Sequence, residues 1–353
     1  MHRLIALKTF RVLLCCLGLS LLPGVSRAVA QTGRPPEASA QAGASLMTQA
    51  RGLLEEGKID AAIKVLSAAQ TGDEQVNYLL GLAYYRKGDY ARAIQYLSSA
   101  APSASGEGKE YRQGVQMLGL SHYMLGHAAE AIPYLERLNR WAPEGVEIAY
   151  ALGVSYVRIR EAEKARAAFA RMFKVPPGSA PAYLINAQMM MRQQMEELAE
   201  KELRKALELD PRLPQANFLL GELAIYHAQI DRGVELLQKE IAVNPAFGMA
   251  YYMLGEAYTR QLKWDEAIPP LQKSIWLNPY FSGPYIVLGK VYLKKADLPN
   301  AETMLRRALQ MDPNNYSGHH LLAQVLQQAD RADEARKEFQ LAEQLRAGSG
   351  ENR

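Results

Sequence analysis

Tyrosine and arginine offer this sequence its main chemistry. Its 19 tyrosines, against 7 phenylalanines and 3 tryptophans, combine an apolar ring with a hydroxyl that can face solvent or a ligand. That is the chemistry of non-covalent binding. Candidates for bond-making or metal work are sparse. Apart from His2, the histidines are His122, His127, His227, His319 and His320, and none has metal-ligand spacing with another. Met189, Met190, Met191 and Met195 are dense enough to raise a soft copper site or an adaptable contact surface. Their spacing covers several faces of a helix, which fits core filling instead. There is no glycine-rich phosphate loop and no nucleophile elbow, and carboxylate pairs occur only in the ordinary pattern of helix surfaces. The reading is of a non-enzyme with no cofactor and no metal.

The first thirty residues read as an export signal. Arg3, Lys8 and Arg11 precede an apolar run from Val12 to Leu22, followed by Pro23-Gly24 and the small-residue site Ala28-Val29-Ala30. Cleavage after Ala30 is expected, with a retained anchor as the alternative, although the run is shorter than the ~20 residues a spanning helix needs. Lipidation at Cys15 or Cys16 does not fit, because the apolar stretch continues past them. Cleavage would remove Arg3, Lys8, Arg11 and Arg27 and no acidic residue, so 41 basic side chains become 37 against 37 acidic. A formally neutral mature chain lacks the basic footprint of a nucleic-acid binder. It would also be free of cysteine, so packing alone must stabilise it in a periplasmic or extracellular setting.

The elements that position the tyrosines follow from internal repetition. Pro143, Pro177, Pro211, Pro245, Pro279 and Pro313 recur every 34 residues. With the proline as position 32, nine units begin near 43, 74, 112, 146, 180, 214, 248, 282 and 316. Position 8 holds Ala50, Gly81, Gly119, Gly153, Ala187, Gly221, Gly255, Gly289 and Ala323. Position 20 holds Ala62, Ala93, Ala131, Ala165, Ala199, Gly233, Ala267, Ala301 and Ala335. Only glycine or alanine appears there, as expected where two antiparallel helices cross too closely for a larger side chain. This pattern closely resembles the tetratricopeptide repeat family. The resemblance implies an all-α, right-handed superhelical solenoid of antiparallel helix pairs over residues 43–346.

Within each unit, leucines such as Leu80, Leu152 and Leu254 at position 7, and Phe169 and Phe339 at position 24, read as core. Tyr84, Tyr156, Tyr258 and Tyr292 at position 11 also read as packing, and His122 takes the same place in the third unit. Gly57, Gly88 and Gly126 are expected to end first helices in the left-handed conformation, with other residues doing so later. Pro133 and Pro269-Pro270 are expected to bend their helices locally. The second and third units are spaced by a polar insert, Ala101 to Gly108. Residues 31–42 and 347–353 read as a disordered leader and tail. Gln324, Gln327, Gln328, Asp330 and Arg331 make the last unit more polar, as suits an end with no neighbour.

The family resemblance further implies that positions 5, 9, 12 and 13 of the first helices face a concave groove. The candidate partner-binding residues there are Tyr78, Tyr85, Arg86, Tyr123, Tyr150, Arg158, Arg192, Phe218, Tyr252 and Arg260. Partners are expected to be other proteins or extended peptides. Packing of individual rings against the neighbouring second helix is the competing reading, and docking through the convex face or the ends is the competing function. Position 6, occupied by Leu79, Met117, Ala151, Ile185, Leu219, Met253 and Val287, lacks the asparagines of both the dicarboxylate-clamp and sugar-transferring branches of the family.

Overall fold

The computed structural model describes residues 37–69, 73–100 and 108–350, and every regular element among them is a helix. The export signal read in residues 1–30 and residues 101–107 of the insert lie outside the described residues. The first three pairs are α1 (Glu37–Glu55) with α2 (Ile59–Ser67), α3 (Glu74–Lys87) with α4 (Tyr90–Ser99), and α5 (Lys109–Leu125) with α6 (Ala128–Trp141). Then come α7 (Val146–Arg158) with α8 (Ala162–Met172), α9 (Ala180–Arg192) with α10 (Glu196–Leu209), and α11 (Ala216–Tyr226) with α12 (Ile230–Val243). The last three are α13 (Gly248–Arg260) with α14 (Trp264–Leu277), α15 (Ser282–Lys294) with α16 (Leu298–Met311), and α17 (Tyr316–Gln328) with α18 (Ala332–Gly350). Each pair is one repeat unit, and each packs on the next.

The seam inside a unit is a knob in a hole. The position 24 side chains Leu97, Phe169, Leu237, Leu271 and Leu305 are buried and lie against the position 8 glycine of the facing helix. A methyl added at Gly81 would sit 2.4 Å from Leu97 Cγ, at Gly255 2.5 Å from Leu271 Cγ, and at Gly289 2.6 Å from Leu305 Cγ. Carbon atoms pack at about 3.5–4.0 Å, so the glycines are sterically required at the present helix separation. Position 20 closes the other side: Ala62, Ala93, Ala131, Ala165, Ala199, Ala267 and Ala301 are fully buried. Met189 and Met190 are buried in the core, as filling predicts. His122 is half-buried and stacks on Tyr134 at 5.9 Å.

All nine first helices end in the same left-handed turn. Gly57, Gly88 and Gly126 take φ of 77°, 81° and 82°, and the later units place Arg160, Gln194, Ala228, Leu262, Ala296 and Asp330 there at φ between 58° and 64°. In each, the following N–H reaches back five residues, as Asp89 does to the Tyr84 carbonyl at 2.9 Å and Lys263 to that of Tyr258 at 3.0 Å. A side chain in this conformation costs about 1–2 kcal/mol, so packing on both flanks must impose the turn.

Three boundaries differ from expectation. Helix α1 starts at Glu37, inside the stretch expected to be disordered, because Glu37-Ala38-Ser39-Ala40-Gln41-Ala42 is rich in good helix formers. Helix α18 runs to Gly350, past Ala347, by adding residues to a ladder already nucleated. Helix α11 starts at Ala216 rather than Pro214, after Gln215 in a left-handed conformation at φ 71°. The shortened end is capped from α12. The fully buried Glu240 carboxylate accepts from the backbone N–H of Gln215 at 2.7 Å and of Phe218 at 3.3 Å. Helices α6 and α14 remain continuous through Pro133 and Pro269-Pro270.

Two stability predictions follow from these packings. Leu262 is 68% exposed, so Leu262→Gly loses little burial while relieving the turn, and it should stabilise the protein by about 0.5–1 kcal/mol. Urea unfolding measures this, and an unchanged or lower midpoint would contradict it. Gly153→Ala should destabilise by about 1–3 kcal/mol, since its methyl would lie 2.5–2.8 Å from the Phe169 ring. Adding Phe169→Leu recreates the Ala187–Leu203 pair of the next unit and should recover much of the loss in thermal midpoint.

Candidate functional site

Successive first helices approach each other more closely than successive second helices. Several residue pairs bring their backbones within 8 Å at every junction except the fifth-to-sixth, where the approach is weaker. Second helices are spanned by long side chains instead. Arg166 bonds Glu202 at 3.0 Å, Arg232 bonds Glu200 at 2.7 Å, and Arg171 bonds Asn139 at 2.6 Å. A stack that is shorter on one side curves toward that side, so the first helices line the concave face.

The candidate residues fall into two kinds on this face. Several rings are held by contacts within their own unit or with the unit that follows. The Tyr78 hydroxyl donates to Gln113 Oε1 at 2.8 Å, one unit on. Tyr85 packs edge-on to Tyr90 at 5.9 Å, and Tyr150 lies 6.4 Å from Phe169. Phe218 meets Phe247 edge-on at 4.9 Å, and Tyr252 meets Phe281 at 5.1 Å. Tyr123 lies beneath the Arg158 guanidinium, 5.7 Å from its ring centre. These rings are half-buried, so each stabilises the stack and keeps an edge at the surface. The partners Gln113, Phe247 and Phe281 escaped sequence reasoning, although the two phenylalanines, 34 residues apart, were a visible signal.

The cations are the second kind. Arg86 donates to the Leu54 carbonyl at 2.7 Å and Arg158 to Gln193 Oε1 at 3.3 Å, neither of which neutralises a charge. Arg192, Lys290 and Lys294 have no hydrogen bond or ion pair among the described residues. Arg260 is different, being paired with Glu256 at 2.9 Å. In the last unit Arg331 is not a free polar end, since it ties Glu302 of the preceding unit at 2.8 Å. Among the described residues no three histidine, aspartate or glutamate side chains converge as metal ligands, and no helix is long and apolar enough to cross a membrane. The open cavity of 410 Å³ beside Leu207, Pro211 and Lys239 is lined mainly from second helices.

Burial pushes the hydroxyls of Tyr78, Tyr85, Tyr123 and Tyr252 up to about 12, with nearby Glu110 adding to the effect on Tyr78 and Glu256 on Tyr252. The hydroxyls therefore stay protonated and able to donate. Because an unfolded tyrosine titrates near about 10, this contribution to stability is complete below about pH 10 and is lost as pH rises through about 12. Stability should fall progressively across that window, and Tyr85→Phe with Tyr123→Phe should make the fall shallower in urea unfolding against pH. An unchanged slope would contradict the assignment.

Residues 47–108, 117–183 and 218–279 match one model of the tetratricopeptide repeat, and residues 282–349 match a second. No curated protein matches the chain in sequence. Among solved structures it is similar to MamA of Desulfovibrio magneticus RS-1, with 21% identity over 48% of this chain and 96% of that one, and a TM-score of 0.45. It is also similar to YrrB, a TPR protein with an unusual peptide-binding site, with 18% identity over 52% and 93% and a TM-score of 0.45. Pseudomonas aeruginosa pilF shares 19% identity over 56% and 89%, with a TM-score of 0.46. Repeat models thus cover most of the chain, and the helix pairs beneath them share one seam and one turn: the chain belongs to the tetratricopeptide repeat family.

Proposed function

We propose that this protein is a non-catalytic scaffold that holds an extended peptide, or an extended segment of another protein, along its first helices. The carrying observation is the set of half-buried rings on that face, fixed by contacts with the partner helix, the connection to the next unit, or the next unit itself. Rings already ordered lose little freedom when a partner covers them, and aromatic and arginine side chains supply much of the energy at protein interfaces. The repeat family itself supports a role in protein binding. An exported, envelope location is part of the same proposal, supported by the basic, apolar and small-residue pattern of residues 1–30.

A second reading has its own observation. Trp276 and Tyr280, near the end of α14, are 71% and 83% exposed, and Lys273 lies 3.8 Å from the Trp276 ring centre. This patch favours docking through an outer edge, as a structural subunit would. Selection of random displayed peptides on the full chain separates the two. Met124 and Tyr226, at position 13 and 42% and 71% exposed, can be replaced without opening the core. Met124→Ala with Tyr226→Ala should weaken selected peptides about ten-fold, while Trp276→Ala with Tyr280→Ala leaves them unchanged. The reverse pattern would transfer the function to the outer edge.

A further inference from the structure

We infer that the partner segment on the second to fifth units is acidic, with carboxylates spaced to meet Arg86, Arg158 and Arg192 and apolar residues between them; this rests on the groove reading above. The observation is a local imbalance of charge. Positions 5, 9, 12 and 13 of these four units carry those three arginines and no aspartate or glutamate. Arg86 and Arg158 are spent on neutral acceptors, and Arg192 has no hydrogen bond or ion pair among the described residues. Beside these units Glu110, at the start of α5, is already paired with Arg51 of the first unit at 3.1 Å, and the carboxylates at the groove positions themselves stand elsewhere. Glu55 is in the first unit, Glu222 in the sixth, and Glu256 in the seventh, where it neutralises Arg260.

The imbalance is not a property of the whole chain, whose basic and acidic counts are 41 and 37. Uncompensated cations of one sign on a concave surface reinforce one another and favour an anionic partner. Half-buried Leu82, Leu120 and Leu184 between the arginines give an apolar floor for the intervening residues. The protonated hydroxyls of Tyr85 and Tyr123 add donors on the same face.

Geometry fixes the spacing. Units stack at roughly 10 Å, and an extended chain advances about 3.3 Å per residue, so one unit corresponds to about three residues. Arg158 and Arg192, in adjacent units, therefore meet carboxylates about three residues apart, and Arg86, two units earlier, meets one about six residues away.

The test uses the full chain and three labelled synthetic peptides of about 12 residues, the span of four units. They carry Glu, Gln or Lys at every third position and the same Leu and Ser residues between. Fluorescence anisotropy should show the Glu peptide binding about ten-fold tighter than the Gln peptide, with the Lys peptide weakest and the preference fading with salt. Arg158→Gln with Arg192→Gln, at exposed positions and with helicity checked by circular dichroism, should bring the Glu peptide down to the Gln peptide's affinity. Equal binding of the Glu and Gln peptides, lost in the Met124→Ala, Tyr226→Ala variant, would overturn the acidic inference and leave the groove reading standing. A Glu preference that survives Arg158→Gln with Arg192→Gln but disappears with Lys290→Gln and Lys294→Gln would overturn the placement on units two to five. Failure of all three peptides to bind would overturn both proposals.

Discussion

The structure depends on the closeness of the two helices within each unit. At Gly81, Gly153, Gly255 and Gly289 the position 24 side chain occupies the space a methyl would need, with Leu97 Cγ only 2.4 Å from where a methyl on Gly81 would sit. The fully buried alanines of position 20 hold the opposite side of the seam. Each seam sets the angle at which one helix leaves the other, and the angle repeated nine times sets the curvature. The concave face is a consequence of this packing rather than of any residue on the face itself. Binding side chains can therefore vary along the stack while the backbone path remains regular.

The fifth-to-sixth junction shows how an irregularity is absorbed. Pro214 and the left-handed Gln215 delay α11, and the approach between first helices weakens there. Glu240 replaces what the missing turn would have satisfied, at a position where Ala206, Ala308 and Ala342 stand in other units. One junction earlier, the nearly buried Arg166 and Glu202 form a two-toothed pair that Asn186 joins at 2.7 Å, with Tyr183 beneath the guanidinium at 4.0 Å. A buried pair of this kind adds less to stability than to register, because desolvation offsets most of its attraction. Both devices fix how units sit on one another where the plain apolar seam is interrupted.

The repeat was legible because a seam that admits nothing larger than a methyl leaves its mark in residue type. Gly81, Ala93 and their equivalents announce the fold without any knowledge of neighbours. The turn at position 15 was legible only through Gly57, Gly88 and Gly126, because the flanking helices force Arg160 or Leu262 into the same conformation. On the candidate face, the residue types were visible but their partners were not. Whether Tyr78 reaches Gln113, or Arg260 is neutralised by Glu256 while Arg192 is left bare, depends on the stagger between units and on local pairing. The distinction between a neutral and a basic stretch of groove therefore emerges only after the ion pairs are assigned. Helix α1 was missed for a different reason: a leader rich in alanine and glutamine has the composition of a helix as readily as of a polar linker.

The central claim, that partners lie against the first helices, is tested most directly by hydroxyl-radical footprinting of the full chain with and without a peptide selected against it. Met124 and Tyr226 are exposed on the first-helix face, and Trp276 and Tyr280 are exposed at the end of α14, so all four oxidise readily in the free chain. The account predicts that the bound peptide protects Met124, Tyr226 or both and leaves Trp276 and Tyr280 as reactive as before. Protection of Trp276 and Tyr280 with Met124 and Tyr226 unchanged would contradict it and place recognition on the outer edge of the solenoid.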